Sequence, residues 1–166
     1  MDDAAAVSSQ LGRAPRAFRR VVARCPFDRP AVTEQEPYDD AGRPFPTTYW
    51  LTCPHLVAAV SRLEAAGGVE RWSRAAEREV ELSESLEQGT EEQRAVRRKL
   101  ADLRSASDAG ASLELGIGGS ARRGSLKCLH AHVAFALARP GYTLGERILA
   151  EVERPWPLDE CCSRLD

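Results

Sequence analysis

The sequence predicts an α+β fold, a single domain with a small three-stranded antiparallel sheet, a helical hairpin and further packed helices. Short segments rich in β-branched and aromatic residues lie in the first third of the chain, at residues 16–25, 31–36 and 47–52. Residues 69–107 are dense in charge and nearly devoid of β-formers. The length of 166 residues suits one domain with its own hydrophobic core.

Tails are predicted at both ends of this domain, which we place at residues 15–153. Residues 1–14 are small and polar, form at most a short helix over residues 4–11, and are expected to be flexible. Residues 154–166 form the second tail and contain the adjacent cysteines Cys161 and Cys162, whose role the pattern does not define.

The three predicted strands form an antiparallel meander. The first strand ends at Cys25-Pro26, and a turn leads to the second strand, whose alternating charges predict an edge position. The third strand, TTYWLT, has the strongest β-propensity and ends at Cys53-Pro54. Since the first and third strands of a meander run in the same direction, Cys25 and Cys53 are expected at one edge of the sheet.

Helices are predicted for the rest of the chain. Pro54 suits the first turn of a helix over residues 55–66, and the glycines at 67 and 68 end it. Residues 69–107 are predicted to form a helical hairpin that turns at residues 88–90, either as a solvated structural unit or as a surface for a protein partner. Two more helices are expected at residues 125–138 and 142–152.

Composition narrows the functional class. The chain has 23 basic and 25 acidic residues and a net charge of −2, which gives no overall attraction to nucleic acid or to an anionic membrane. No apolar run approaches the roughly 18 residues of a membrane span, and no secretory pattern opens the chain, so we expect a cytoplasmic protein. Neither H-E-x-x-H nor G-x-S-x-G occurs, so a metalloprotease or a serine hydrolase has no support.

Residues 116–138 carry the densest potential chemistry. A glycine-rich loop precedes a helix that is predicted to begin near Ser125. Because a helix N-terminus attracts anions, we predict that Arg122, Arg123 and Lys127 bind a phosphate or carboxylate there. The alternative is a flexible surface loop whose arginines are solvated.

The cysteines and histidines suggest a metal site. Five cysteines in a reducing compartment indicate metal binding or simple burial rather than disulfides. Cys128 and His132 lie four residues apart on one helix face, and His130 joins them if Cys128 lies at the helix start. The predicted ligands of a structural zinc ion are Cys25, Cys53 and Cys128 with one of His130, His132 or His55. An iron–sulfur cluster that also uses Cys161 or Cys162 is the alternative.

Four segments carry a resemblance to a known family. These are RCPFDRPAV at residues 24–32, PFPTTYWLTCP at 44–54, SRLEAAGGV at 61–69 and KCLHAH at 127–132. They resemble the domain of unknown function 501 family, which is found chiefly in actinobacteria, over residues 16 to about 152. The resemblance implies no established reaction, and it carries over Cys25, Cys53, Cys128 and His130 as candidate site residues.

Two functional hypotheses follow from the sequence. The first is a zinc-binding accessory protein that binds a protein partner through the hairpin or the arginine loop. The second is a small enzyme that holds a phosphorylated or acidic substrate with Arg122, Arg123 and Lys127, and uses Cys128 as a thiolate or a metal-bound water. A pocket beside residues 118–127 favours the second hypothesis, whereas a flat surface there with an exposed apolar strip on the hairpin favours the first.

Overall fold

A three-stranded antiparallel sheet begins the fold in the computed structural model, which describes residues 2–159 and 161. The strands are β1 (Phe18–Arg24), β2 (Pro30–Gln35) and β3 (Tyr49–Leu51), in the order β1-β2-β3. The predicted meander is therefore confirmed. The predicted edge position of the second strand is wrong, because a meander of three strands places its second strand in the middle, and β2 is buried along its whole length.

The helices complete the α+β fold predicted from the sequence. They are α1 (Asp3–Leu11), α2 (Pro54–Ala65), α3 (Gly68–Arg78), α4 (Val80–Leu100), α5 (Leu129–Ala138) and α6 (Thr143–Glu151). Two short 3₁₀ turns, Ala111–Glu114 and Ile117–Gly119, lie between α4 and α5. Among the described residues, no helix combines the length and the apolar character that a membrane crossing requires.

Helix α5 lies at the centre of the core. It packs on β3 and on α6, and Leu129, Val133 and Ala134 are fully buried. The ring of Phe135 meets Tyr49 at a centroid distance of 5.4 Å and Tyr142 at 5.0 Å, both edge to face. The helix is thus buried on most sides and not along one apolar stripe, and its side chains join the sheet to the C-terminal helix.

The N-terminal segment contains the short helix that the sequence allowed at residues 4–11, and this helix packs on the sheet. Helix α1 covers most of the segment, and Val7 is fully buried. Asp3 pairs with Arg24 of β1 at 2.9 Å. Small apolar residues are enough to pack a short helix here, because the sheet offers it a surface that the local sequence does not reveal.

The predicted helical hairpin consists of α3 and α4, but its turn lies elsewhere. The two helices meet at Glu79, and α4 continues for 21 residues through the predicted turn at residues 88–90. Gly89 is buried and faces Tyr142, and a Cβ atom at this glycine would lie 2.7 Å from Tyr142 Cε2. Gly89 therefore permits close packing inside the helix and does not end it.

We expect Gly89→Ala to lower the free energy of unfolding by about 1–3 kcal/mol, because the added methyl group overlaps Tyr142. In an exposed helix the same change would add about 1 kcal/mol of stability. Urea unfolding measures the difference, with Glu84→Ala on the exposed side of the same helix as the control. A Gly89→Ala protein as stable as the wild type would show that Tyr142 has room to move.

A buried polar network ties α4 to the loops beside it. Arg97 is fully buried and donates to the carbonyl oxygens of Phe45, at 2.9 Å, and Ser112, at 3.5 Å. Asp108 accepts from the hydroxyl of Tyr38 at 2.6 Å and from the amide of Ser112 at 2.9 Å. Burial acts to raise the pKa of Asp108, but these hydrogen bonds hold it at about 2. The carboxylate thus remains charged near the buried guanidinium.

Candidate functional site

A cavity of about 840 Å³ lies between α4 and the glycine-rich loop of residues 116–125, and we call it the loop cleft. This volume is typical of small-molecule pockets. The side chain of Gln93 holds the start of the loop by donating to the carbonyl oxygen of Gly116 at 2.7 Å. Gly119 has a φ of +76°, and a Cβ atom there would lie 2.9 Å from Pro46. Glycine is therefore required where the loop folds back against the Pro46 segment.

His132 lines the inner part of the loop cleft. It is 1% exposed, and its Nδ1 lies 2.7 Å from the hydroxyl of Tyr142. Burial lowers the pKa of His132 to about 3 and raises that of Tyr142, so both side chains are neutral at pH 7. The hydroxyl has no other acceptor among the described residues, so we assign its proton to the bond with Nδ1. The second ring nitrogen, Nε2, then carries the imidazole proton, and the described residues provide no acceptor for it.

The charges around the loop cleft are partly paired. Arg123 donates to Glu87, and Arg94 donates to Glu91 at 2.5 Å. Arg122 also lines the cleft and has no carboxylate partner among the described residues. Within the described residues, the backbone amides of residues 121–124 also have no hydrogen-bond acceptor. Free donors therefore gather at the loop side of the cavity.

The residues predicted to bind an anion are brought together only in part. Arg122 and Arg123 both line the loop cleft, whereas Lys127 does not. The helix begins at Leu129 and not near Ser125, and the amide of Leu129 donates to Glu64 Oε1 at 2.6 Å. The predicted helix start is thus wrong, and the carboxylate of Glu64 lies at the true N-terminus of α5, whereas anion binding by these residues stays a prediction.

The predicted metal ligands do not converge. Cys25 and Cys53 leave the same edge of the sheet, as predicted, but β2 separates β1 from β3 by about 10 Å, two strand spacings. Thiolates that share one zinc ion lie about 4 Å apart. His132 is bound to Tyr142 and His130 to Glu64. Within residues 2–159 and 161, no three His, Cys, Asp or Glu side chains are arranged to hold a metal ion.

Zinc or iron–sulfur binding accordingly stays a prediction from the sequence. Cys161 is partly buried against the core, and Cys162 lies outside the described residues. His55 lies in the first turn of α2, and its Nε2 atom is buried without a partner in the described chain.

The surroundings of Cys128 do not favour the reactive thiolate that was predicted from its position in the sequence. It occupies the N-cap position of α5, where backbone amides favour the thiolate. Burial nevertheless raises the pKa of the Cys128 thiol, and the charge of Glu64 acts in the same direction. The thiol is therefore protonated at neutral pH, and we do not assign it a nucleophilic role.

The structure gives His130 two polar partners, Ser61 and Glu64, that the sequence did not indicate. His130 of α5 contacts Glu64 and Ser61 of α2, with Nδ1 3.0 Å from Glu64 Oε1 and Nε2 3.2 Å from Ser61 Oγ. His130 also lines a second cavity, of about 450 Å³, between α1, β3 and α2, which we call the apolar groove. Ser61 and Glu64 are three residues apart on one helix, and this spacing was the available signal.

Comparison with known proteins identifies a family. The family model described as "Protein of unknown function (DUF501)" matches residues 21–150, which is most of the chain. The comparisons with curated proteins and with solved structures gave no match. The matched range contains the loop cleft and the Ser61, Glu64 and His130 contacts. This chain therefore belongs to the DUF501 family of proteins of unknown function.

Proposed function

We propose that this protein binds a small anionic molecule, one with a phosphate or carboxylate group, in the loop cleft. The observation that carries the proposal is His132, a buried side chain that lines the cleft and whose Nε2 has no partner among the described residues. An unsatisfied buried donor costs about 1–3 kcal/mol. An acceptor atom on a bound ligand would remove that cost once the residues that cover Nε2 move to admit it.

The other free donors support an anionic ligand. The guanidinium of Arg122 and the amides of residues 121–124 lie on the loop side, and successive backbone amides in a loop form a surface that attracts anions. The carboxylates of Glu87 and Glu91 repel an anion only weakly, because their negative charges are paired with Arg123 and Arg94. Glu77 is also in the lining, and it favours a ligand that carries hydroxyl or amino groups as well.

The same site favours binding over acid–base catalysis. A general base works best when its pKa lies near the working pH, and the pKa of His132 is about 3. The hairpin also provides little docking surface for a protein, because among the described large hydrophobic residues of α3 and α4 only Val80 is exposed. We therefore favour a ligand-binding role over the partner-binding hypothesis.

Arg122→Gln is expected to weaken anion binding about tenfold, because it removes the one charge-assisted donor of the loop that has no carboxylate partner in the described chain. Isothermal titration at constant ionic strength with inorganic phosphate, pyrophosphate and citrate measures this effect. Arg104→Gln is the matched control, because Arg104 is also an exposed loop arginine but lies outside the cleft. Failure of all three anions to bind, or equal affinities for the wild type and Arg122→Gln, would refute the proposal.

A further inference from the structure

Three polar side chains form a hydrogen-bonded chain where α2 meets α5. Glu64 Oε1 lies 3.0 Å from His130 Nδ1, and His130 Nε2 lies 3.2 Å from Ser61 Oγ. The amide of Leu129 donates to the same Glu64 oxygen at 2.6 Å and so fixes the carboxylate. A hydroxyl, an imidazole and a carboxylate in this order are the parts of an activated nucleophile, its base and the group that orients the base.

The carboxylate of Glu64 fixes one of the two protons that the ring of His130 can carry. A carboxylate can only accept, so Nδ1 carries the proton that it donates to Glu64. Nε2 then presents its lone pair to the hydroxyl of Ser61. This is the tautomer that a general base requires.

The carbonyl oxygen of Val57 and the carboxylate of Glu64 lie on opposite sides of the His130 ring. The carbonyl oxygen of Val57 lies 3.2 Å from His130 Nε2, and it can accept a hydrogen bond only when Nε2 is protonated. Glu64 places a negative charge on the other side of the ring.

The apolar groove leads to this serine. Its α2 wall consists of Pro54, Val57 and Ala58, which lie seven, four and three residues before Ser61 and so share its helix face. Leu11 and Trp50 line it from α1 and β3. The lining also includes His130 and Thr52, whose buried hydroxyl has no partner among the described residues. Ser61 itself is exposed and lies outside the groove lining, next to His130, which is part of that lining.

The chain lacks the G-x-S-x-G motif by which a serine hydrolase was judged from the sequence, but the contacts of Ser61 do not depend on that motif. We propose that Ser61 is the nucleophile of an esterase site for small esters with short apolar acyl groups. Ser61 Oγ attacks the ester carbonyl carbon, and its proton passes to His130 Nε2. The bond to the alcohol oxygen breaks, and the alcohol leaves with that proton. Water then attacks the acyl-serine with His130 as base, which releases the carboxylic acid and restores Ser61. Glu64 is a positioning residue that acts through His130.

The groove volume sets the substrate class. About 450 Å³ is near the lower end of ligand pockets, and the walls are mainly apolar, so a short acyl chain fits better than a long or charged one. This site lies apart from the loop cleft and does not depend on it, since the two linings share no residue.

The test is covalent labelling of the full chain together with ester hydrolysis. A fluorophosphonate probe is expected to modify Ser61, as identified by peptide mass spectrometry, and p-nitrophenyl butyrate is expected to be cleaved faster than the octanoate. Ser61→Ala is expected to lose about 100-fold or more in kcat/KM. Its melting temperature should not change, because alanine suits an exposed helix position. Ser107→Ala, at another exposed serine, should match the wild type.

Glu64→Gln separates positioning from folding. The glutamine oxygen can still accept from the Leu129 amide, so the helix contact remains, but the negative charge beside His130 is lost. We expect kcat to fall while KM stays unchanged. The absence of an adduct on Ser61, or ester hydrolysis by Ser61→Ala at the wild-type rate, would overturn the proposal.

Discussion

Replacing Arg97 with alanine is expected to lower the free energy of unfolding by about 3–5 kcal/mol. The substitution removes the hydrogen-bond donors to the carbonyl oxygens of Phe45 and Ser112. It also leaves a cavity at a fully buried position. It also removes the positive charge that lies near Asp108, a carboxylate whose pKa is held at about 2. Chemical unfolding at pH 7 measures this difference.

The adjacent residue is a matched control for this experiment. Arg98 is exposed and pairs with Glu114 at 2.8 Å, and exposed ion pairs contribute little to stability. Arg98→Ala is therefore expected to unfold close to the wild type. Equal stability of Arg97→Ala and Arg98→Ala would mean that the buried network does not hold α4 to its neighbouring loops.

Lowering the pH from 7 to 4.5 is expected to remove about 2–3 kcal/mol of stability through His132 alone. The pKa of His132 is about 3 in the folded protein, because burial disfavours the charged ring, and about 6.5 in the unfolded chain. Below pH 6.5 the unfolded chain takes up a proton that the folded protein does not. The contribution of His132 is therefore complete above pH 6.5 and is lost as the pH falls towards 3.

His132→Gln isolates this contribution, because the carboxylates that titrate in the same range are common to both proteins. The stability gap between the wild type and the variant should narrow as the pH falls from 7 to 4.5. A nuclear magnetic resonance titration of the wild type gives a second measurement, with the His132 midpoint expected below pH 4. Parallel stability curves, or a midpoint near 6.5, would contradict the burial of a neutral His132.

Local patterns were sufficient for much of the fold. The β-branched and aromatic runs predicted three strands in a meander, and Pro54 marked the start of α2. The hairpin was right as two helices but wrong in its turn, because a glycine can either end a helix or admit a neighbouring side chain. At Gly89 the neighbour is Tyr142, which lies 53 positions later in the sequence.

The candidate sites were less predictable. The sequence indicated the arginine loop, and the structure places a cleft beside it. It also indicated that Cys25 and Cys53 share a sheet edge, but not that the intervening strand keeps them apart. Neither Tyr142 nor Glu64 had a motif to mark it, because each acts through a histidine on another element.

The sequence by itself determined the α+β class, the three strands, the positions of most helices and a loop rich in glycine and arginine, because these depend on residues close together in the chain. Tertiary structure alone decided which histidine faces which partner. Packing of α5 between the sheet and α6 buries His132 against Tyr142 and leaves Nε2 without a partner in the described chain. The same packing brings His130 to Ser61 and Glu64 of α2. Side-chain contacts between distant segments depend on how whole helices fit together, and no local pattern records that fit.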